Sequence, residues 1–244
     1  MKRSIIAAII VLAAGSFIFW KWIGIGPTPM SDKELAARMI NELNERADVS
    51  EVQDIVMLDS RHLFVPFVST NGDYGMSFWV WDRFDWEIRS IDSDGNPQMW
   101  HLREDDHSKQ YFVWNLAPQS KVEELDFYLI RNRNAGRSDG NDFYSPRVQM
   151  EKSVSLKDQR YGVSRIPDDW IDIQKSVPKQ KGTGGTLGIW EWSQTGVKDF
   201  RIGYVPTLSG ELEATHNSST WSSTYGNIHL SYIFPLNEDE LEHP

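Results

Sequence analysis

Cysteine is absent from all 244 residues, which excludes disulfides, thiolate chemistry and lipid attachment through a lipobox thiol. Positive charge is also scarce: 25 Lys and Arg face 35 Asp and Glu, for a net charge of −10. Lys2, Arg3 and Lys21 all lie in the first 25 residues, where there is no acid. Setting those three charges aside takes −10 to −13 for the remainder. An exterior this acidic repels nucleic acid and anionic lipid, so no nucleic-acid partner is expected. Reaction signatures are lacking too. There is no Gly-x-Ser-x-Gly and no His-Glu-x-x-His, and Gly182-Thr183-Gly184-Gly185 lacks the Lys-Ser/Thr ending of a phosphate loop. No catalytic residue, metal ligand or cofactor is assigned.

What the chain does have is an almost unbroken apolar run, Ser4 to Trp22, directly behind Met1-Lys2-Arg3. Taken as helix from Ser4 to Ile25, with Lys21 snorkelling, it reaches about 33 Å, enough to cross a hydrocarbon core. Trp20 and Trp22 fall at headgroup depth. Lys2, Arg3 and the terminal amine favour the cytoplasmic side, so the expected product is a single-pass cell-membrane protein with its N-terminus inside and its C-terminal domain extracytoplasmic. A cleaved signal peptide competes, because Ala13-Ala14-Gly15-Ser16 offers small residues for a cut. Cleavage there would leave Phe17-Ile18-Phe19-Trp20 as an apolar end in water, which favours the uncleaved anchor. An exported domain of this size without disulfides suits a bacterial surface better than a eukaryotic one.

The expected organisation is a stub (1–3), the anchor (4–25), a Gly/Pro linker (26–30), an α+β domain (31–236) with a subdivision near 118–122, and an acidic, disordered tail (237–244). Ser31-Asp32-Lys33-Glu34 fits a capping box. Leu35, Met39, Ile40, Leu43 and Ala47 then form an apolar stripe, predicting a helix to about Ala47. Strands are predicted over Val52–Leu58, Leu63–Val68 (Pro66 marking an edge or bulge), Met76–Trp81, Trp86–Ile91, Gln98–Leu102, Tyr111–Leu116, Leu125–Ile130, Arg147–Leu156, Leu187–Trp192, Phe200–Val205 and Ile228–Phe234. Asn132 to Asp142 reads as loop. A short central helix is predicted from Pro167 to about Ser176. The fold class is therefore α+β, dominated by antiparallel sheet, with one N-terminal and one short central helix. Trp79-Val80-Trp81 and Trp190-Glu191-Trp192 form a faint internal echo.

Candidate sites are few. The two Ser-Asp-Gly-Asn tetrapeptides, at 93–96 and 138–141, offer oxygens for calcium but read more simply as hairpin turns. Glu104-Asp105-Asp106-His107 reads as a solvated loop. Arg131, Arg133 and Arg137 make a basic island read as a solvated edge. Nine of eleven tryptophans lie beyond the anchor, which favours a binding face. In a strand, Met76, Phe78 and Val80 share one face and Trp79 and Trp81 the other. The aliphatic face fits Leu35 and Met39 better, which would leave the indoles open beside Arg83, Asp85 and Glu87. These five residues, Trp79, Trp81, Arg83, Asp85 and Glu87, are the candidate binding site for a protein or glycan outside the cell. Against this stands the burial tendency of large aromatics, which predicts a sheet covered on both faces. The function expected is a non-catalytic surface interaction or accessory module. The alternative is an envelope glycan hydrolase using a carboxylate pair beside tryptophans.

Overall fold

The computed structural model describes residues 30–43, 49–82, 84–103, 108–138, 141–176, 200–210 and 221–242. Ser31 opens α1 (Asp32–Leu43). Its Oγ and its carbonyl both accept from the Glu34 amide, at 3.4 and 3.0 Å, and Asp32 and Glu34 place negative charge at the positive helix end. The Glu34 carboxylate, expected to return to the cap, instead meets Arg38 one turn on at 3.0 Å. Leu35 and Met39 are fully buried.

Beneath α1 lies a six-stranded antiparallel sheet. β1 (Val49–Val52) and β2 (Val56–Asp59) share one edge of β3 (His62–Ser69), where the sequence pattern predicts a single strand. Pro66 explains the split. Its carbonyl accepts from the Gln53 amide at 3.0 Å, so its nitrogen faces that same edge with no hydrogen to donate, and pairing breaks over residues 53–55. β4 (Tyr74–Asp82) and β5 (Asp85–Asp92) complete the main ladder, and β14 (Ser222–Thr224) pairs with β5. Alternation sends Leu63, Val65, Phe67 and Trp79 toward α1, and Phe64, Met76 and Phe78 the other way. The β4–β5 register slips opposite Phe78 and Trp79. That bulge lets Trp86, Ile88 and Ile91 all join the α1 side.

A second sheet of order β12-β7-β6-β15 contains β6 (Gln98–His101), β7 (Gln110–Asn115), β12 (Tyr161–Arg165) and β15 (His229–Tyr232). A third contains β8 (Val122–Arg131), β11 (Val148–Ser155), β13 (Arg201–Leu208) and β16 (Phe234–Pro235), in the order β11-β8-β13-β16. Of its pairings only β13–β16 is parallel. Three cores stack these layers. Trp100 and Val113 of the second sheet meet Phe64, Met76 and Phe78 of the first. Met99, Phe112 and Trp114, on the opposite face, meet Leu125, Phe127 and Leu129 of the third, joined by Trp170 and Ile171 of α2 (Asp168–Ser176). The order is α1, first sheet, second sheet, third sheet. Asn115, fully buried, ties the first two sheets together: its Nδ2 faces Gln53 Oε1, the Phe67 carbonyl and the Gly75 carbonyl at 2.8, 3.1 and 2.7 Å.

Several expectations are corrected. Met76 and Phe78 do not meet α1; Trp79 does. Both faces of the first sheet are covered, and the indole is tolerated inside because its Nε1 donates to Ser77 Oγ at 2.9 Å, which in turn donates to the Val65 carbonyl. Ser93–Asn96 is not a hairpin turn but the crossover from β5 in the first sheet to β6 in the second. A Cβ on Gly95 would lie 1.8 Å from the Asn115 carbonyl oxygen, so only glycine fits that crossing. The stretch read as loop after Asn132 holds a hairpin, β9 (Asn134–Ser138) with β10 (Asn141–Ser145). Arg131 is buried with its guanidinium 4.9 Å from the Phe200 ring, not solvated. The tail is seated through residue 242: Arg147 donates to the Glu240 carbonyl, and Gln149 exchanges two bonds with the Glu242 backbone. The predicted strand at 187–192, and with it the tryptophan echo, falls outside the described residues, as do the anchor and 104–107.

Candidate functional site

Among the described residues, a groove of about 510 Å³ lies where α1 crosses the β4–β5 hairpin. It brings together three of the five sequence candidates. Trp79 forms the floor, and Asp85 and Glu87, two apart on β5 and therefore on one face, stand in the wall. Trp81 lies beside it, half-buried, its ring edge-on to Trp86 with centroids 5.4 Å apart. Arg83 lies outside the described residues. The open indole face is therefore not found: Trp79 is inaccessible and Trp81 partly so.

Three contributors come from elements that the sequence did not connect with the hairpin, Arg38 and Glu42 from α1 and Tyr225 from the end of β14, and a fourth, Arg89, comes from β5 itself. Arg38 follows Leu35 by three positions and so flanks the buried stripe of α1. Its guanidinium reaches Glu34 Oε1 (3.0 Å), Asp85 Oδ1 (3.1 Å) and the Trp86 carbonyl (2.8 Å). Arg89 spans Asp82 Oδ2 (3.1 Å) and Glu87 Oε2 (3.0 Å). The Tyr225 hydroxyl donates to the Glu42 carbonyl at 3.1 Å and closes the far wall against α1. Each arginine thus strides two acids, and Glu42 adds a fifth carboxylate, so the rim is acidic on balance and cross-braced. The signal that could have found Arg38 is its place at the edge of the apolar stripe. Nothing local marks Tyr225, about 140 residues beyond the hairpin.

Two other titratable clusters have structural geometry. His62 Nδ1 lies 2.7 Å from Asp59 Oδ1, with Lys109 3.5 Å from the other oxygen, and the imidazole sits edge-on to Trp100. Burial pushes His62 below its usual value and outweighs Asp59 beside it. Burial alone would raise the Asp59 carboxyl, but the Arg61 amide, His62 and Lys109 together bring it below the usual range. Asp92, buried at the crossover, accepts from the Asp94 amide, Gln98 Nε2 and the Tyr232 hydroxyl at 2.9, 2.8 and 2.7 Å. Burial raises its carboxyl, and Tyr232 is pushed up to about 12 by burial and by Asp92. Both clusters pin turns between strands. Among the described residues no group of three His, Asp or Glu side chains is placed to hold a metal ion, and no helix is long and apolar enough to cross a membrane.

No protein-family model, no curated protein and no solved structure matches the chain.

Proposed function

We propose that this chain is a non-catalytic interaction or accessory module at the cell surface. Ser4–Ile25 serves as its single transmembrane helix, the N-terminus is cytoplasmic and residues 31–236 lie outside. The apolar run behind Lys2 and Arg3 supports the tether. The observation that carries the binding part of the reading is the α1–hairpin groove, a concave surface with braced charges set over buried indoles. The indoles beneath are closed to contact, so what the groove offers a partner is a concave, charge-paired lining of the kind found at the polar rim of protein-binding surfaces. Its side chains are held by ion pairs and main-chain bonds, so little ordering is left for a partner to impose. Asp85 and Glu87 are the carboxylates a hydrolase would need. Each is already engaged by an arginine, whereas a hydrolytic pair faces the scissile bond.

The test uses the absence of cysteine. Glu42→Cys, an exposed position on the α1 wall of the groove, supplies a lone thiol to which a photoreactive group can be attached on intact cells. One dominant protein adduct is expected, and it should be lost when Asn41→Trp, an exposed substitution on α1, fills the groove. Adducts that Asn41→Trp leaves unchanged would remove the groove from the reading. Release of cell-wall fragments by the purified protein, abolished by Asp85→Ala, would replace it with the hydrolase.

A further inference from the structure

We infer that the outer face of the third sheet is a second interaction surface, a cradle around Arg147, Gln149 and Arg201 that takes an extended acidic segment of a partner protein. Residues 236–242 of this chain are the occupant that such a partner displaces; neither the α1–hairpin groove nor the anchor enters the argument. Gln149 and Arg201 are both in register with Ile130, so β11, β8 and β13 present these three side chains in one row on one face. Val148, Met150, Leu129 and Ile202 alternate with them and face the core, which puts the row on the far side. Arg147 lies two positions before Gln149, and Gly203 two after Arg201, so both extend the same face. A Cβ on Gly203 would stand 2.5 Å from the Leu236 side chain, so the missing side chain is the seat of that leucine. In a chain of net charge −10, two guanidiniums about one row make a local surface that favours acid.

The segment is held as a bound peptide is held. The Gln149 amide exchanges two hydrogen bonds with the backbone of Glu242: Nε2 donates to the carbonyl and Oε1 accepts from the N–H, each at 2.9 Å. Arg147 Nη2 donates to the Glu240 carbonyl at 2.6 Å, Arg201 pairs with the Glu240 carboxylate, and the Leu236 amide donates to the Tyr204 carbonyl at 2.8 Å. Main-chain bonds with side-chain seats between them are the chemistry by which a sheet takes in an extended peptide. The hydrophobic cores do not use the segment: among the described residues they include Ile233 and nothing after it, and Phe234 is 69% exposed. The fit is also imperfect. Arg147 Nε is buried without a hydrogen bond, and Glu242 Oε1 stands 3.5 Å from it and from Arg133 alike. A partner carboxylate seated about half an ångström closer would satisfy Arg147 Nε with a charged hydrogen bond, which the chain's own segment does not supply.

The experiment uses the full chain in neutral detergent, with Glu240→Lys and Glu242→Lys together so that the cradle repels its own occupant. The probe is a fluorescent synthetic peptide of residues 236–242 in its natural sequence, followed by anisotropy. The double-lysine variant should bind it saturably and lose affinity as salt rises. The wild-type chain should bind at least about tenfold more weakly, because its own segment competes from within the molecule. Arg147→Glu added to the variant should abolish binding, and a scrambled peptide of the same composition should bind at least about tenfold less well, since its acids and leucine no longer match the seats. No saturable binding by the variant, equal binding by variant and wild type, or equal binding of the scrambled peptide would overturn the inference. A wild-type chain that is dimeric, and turns monomeric with the two lysines, would give the cradle to a second copy and overturn the partner. A large drop in Tm in the double-lysine variant would show that the segment serves the fold and would equally overturn the inference.

Discussion

Two hairpins in this molecule each carry an aromatic residue that is 64% exposed, Phe84 at the tip of β4–β5 and Tyr144 on β10. Their settings differ. β4–β5 lies within a six-stranded sheet, is covered by α1 on one face and by the second sheet on the other, and is braced by Arg38 and Arg89. Among the described residues β9–β10 is a sheet of two strands that pair with each other and with no third strand, a size that is marginal in water without further cover. Its ion pairs, Arg137 with Asp142 and Arg133 with Glu242, join well-exposed side chains and contribute little. Exposure is the same in both; presentation is not. A partner can use a side chain whose backbone is already fixed, because ordering a mobile one subtracts from binding.

The sharpest way to break this contrast is through the core. Trp79→Ala removes a fully buried indole from beneath α1 and should cost about 3–5 kcal/mol in urea unfolding, with Met39→Ala at about 2–5 kcal/mol. Tyr144→Ala on the other hairpin should stay within about 0.5 kcal/mol. Comparable losses at Trp79 and Tyr144 would mean that the two hairpins are equally integrated and that the comparison fails.

The brace comes next. Arg38→Ala removes a charged hydrogen bond to the part-buried Trp86 carbonyl and should cost about 1–2 kcal/mol. Its pairs with Glu34 and Asp85 are solvent-screened and add little. Arg133→Ala, in an exposed pair, should be neutral. A neutral Arg38→Ala would show that the groove wall stands without it.

Phe84→Asn sharpens the contrast in the opposite direction. Relieving a positive φ of 80 at a bulky residue should raise stability by about 0.5–1 kcal/mol. Tyr144→Asn has no such strain to relieve and should gain nothing. A loss at Phe84 would show that its ring packs more than its exposure suggests.

How far the sequence led follows from these same residues. Elements governed by local chemistry were legible: the Ser31 start of α1, the Leu35–Met39 stripe, the short helix after Pro167, and most strands of the three sheets. What sits on either side of a sheet was not legible. The alternation at Met76–Trp81 separates two faces correctly, but it does not say which meets α1 when both are buried. Pro66 announced an irregularity without saying that it would split the neighbouring strand. Ser93–Asn96 has turn chemistry whether it closes a hairpin or crosses between sheets; only Gly95 packed on the Asn115 carbonyl decides it. The groove was half legible. Asp85 and Glu87 share a face by strand geometry, whereas Arg38 and Tyr225 reach it only through tertiary folding.

A third hairpin, β2–β3, gives the smallest effect and one that depends on pH. His62 and Asp59 close its turn at 2.7 Å, and burial holds the imidazole below its ordinary value of 6.5. In the unfolded chain His62 takes up its proton near 6.5, while the folded chain resists it. Between the folded value and 6.5 the unfolded state therefore binds more protons, and stability rises with pH across that window. Acidifying from pH 7.5 through 6.5 should lower Tm, and His62→Gln, which cannot titrate, should flatten that part of the profile. Asp59 is depressed, so its contribution is lost only as pH falls through the carboxylate range, below this window. Asp92 is raised, so its burial opposes folding at neutral pH and that opposition is relieved on acidification, the reverse sign. A wild-type profile that stays flat through pH 6.5, or a His62→Gln profile as steep as wild type, would show that this turn does not carry the slope.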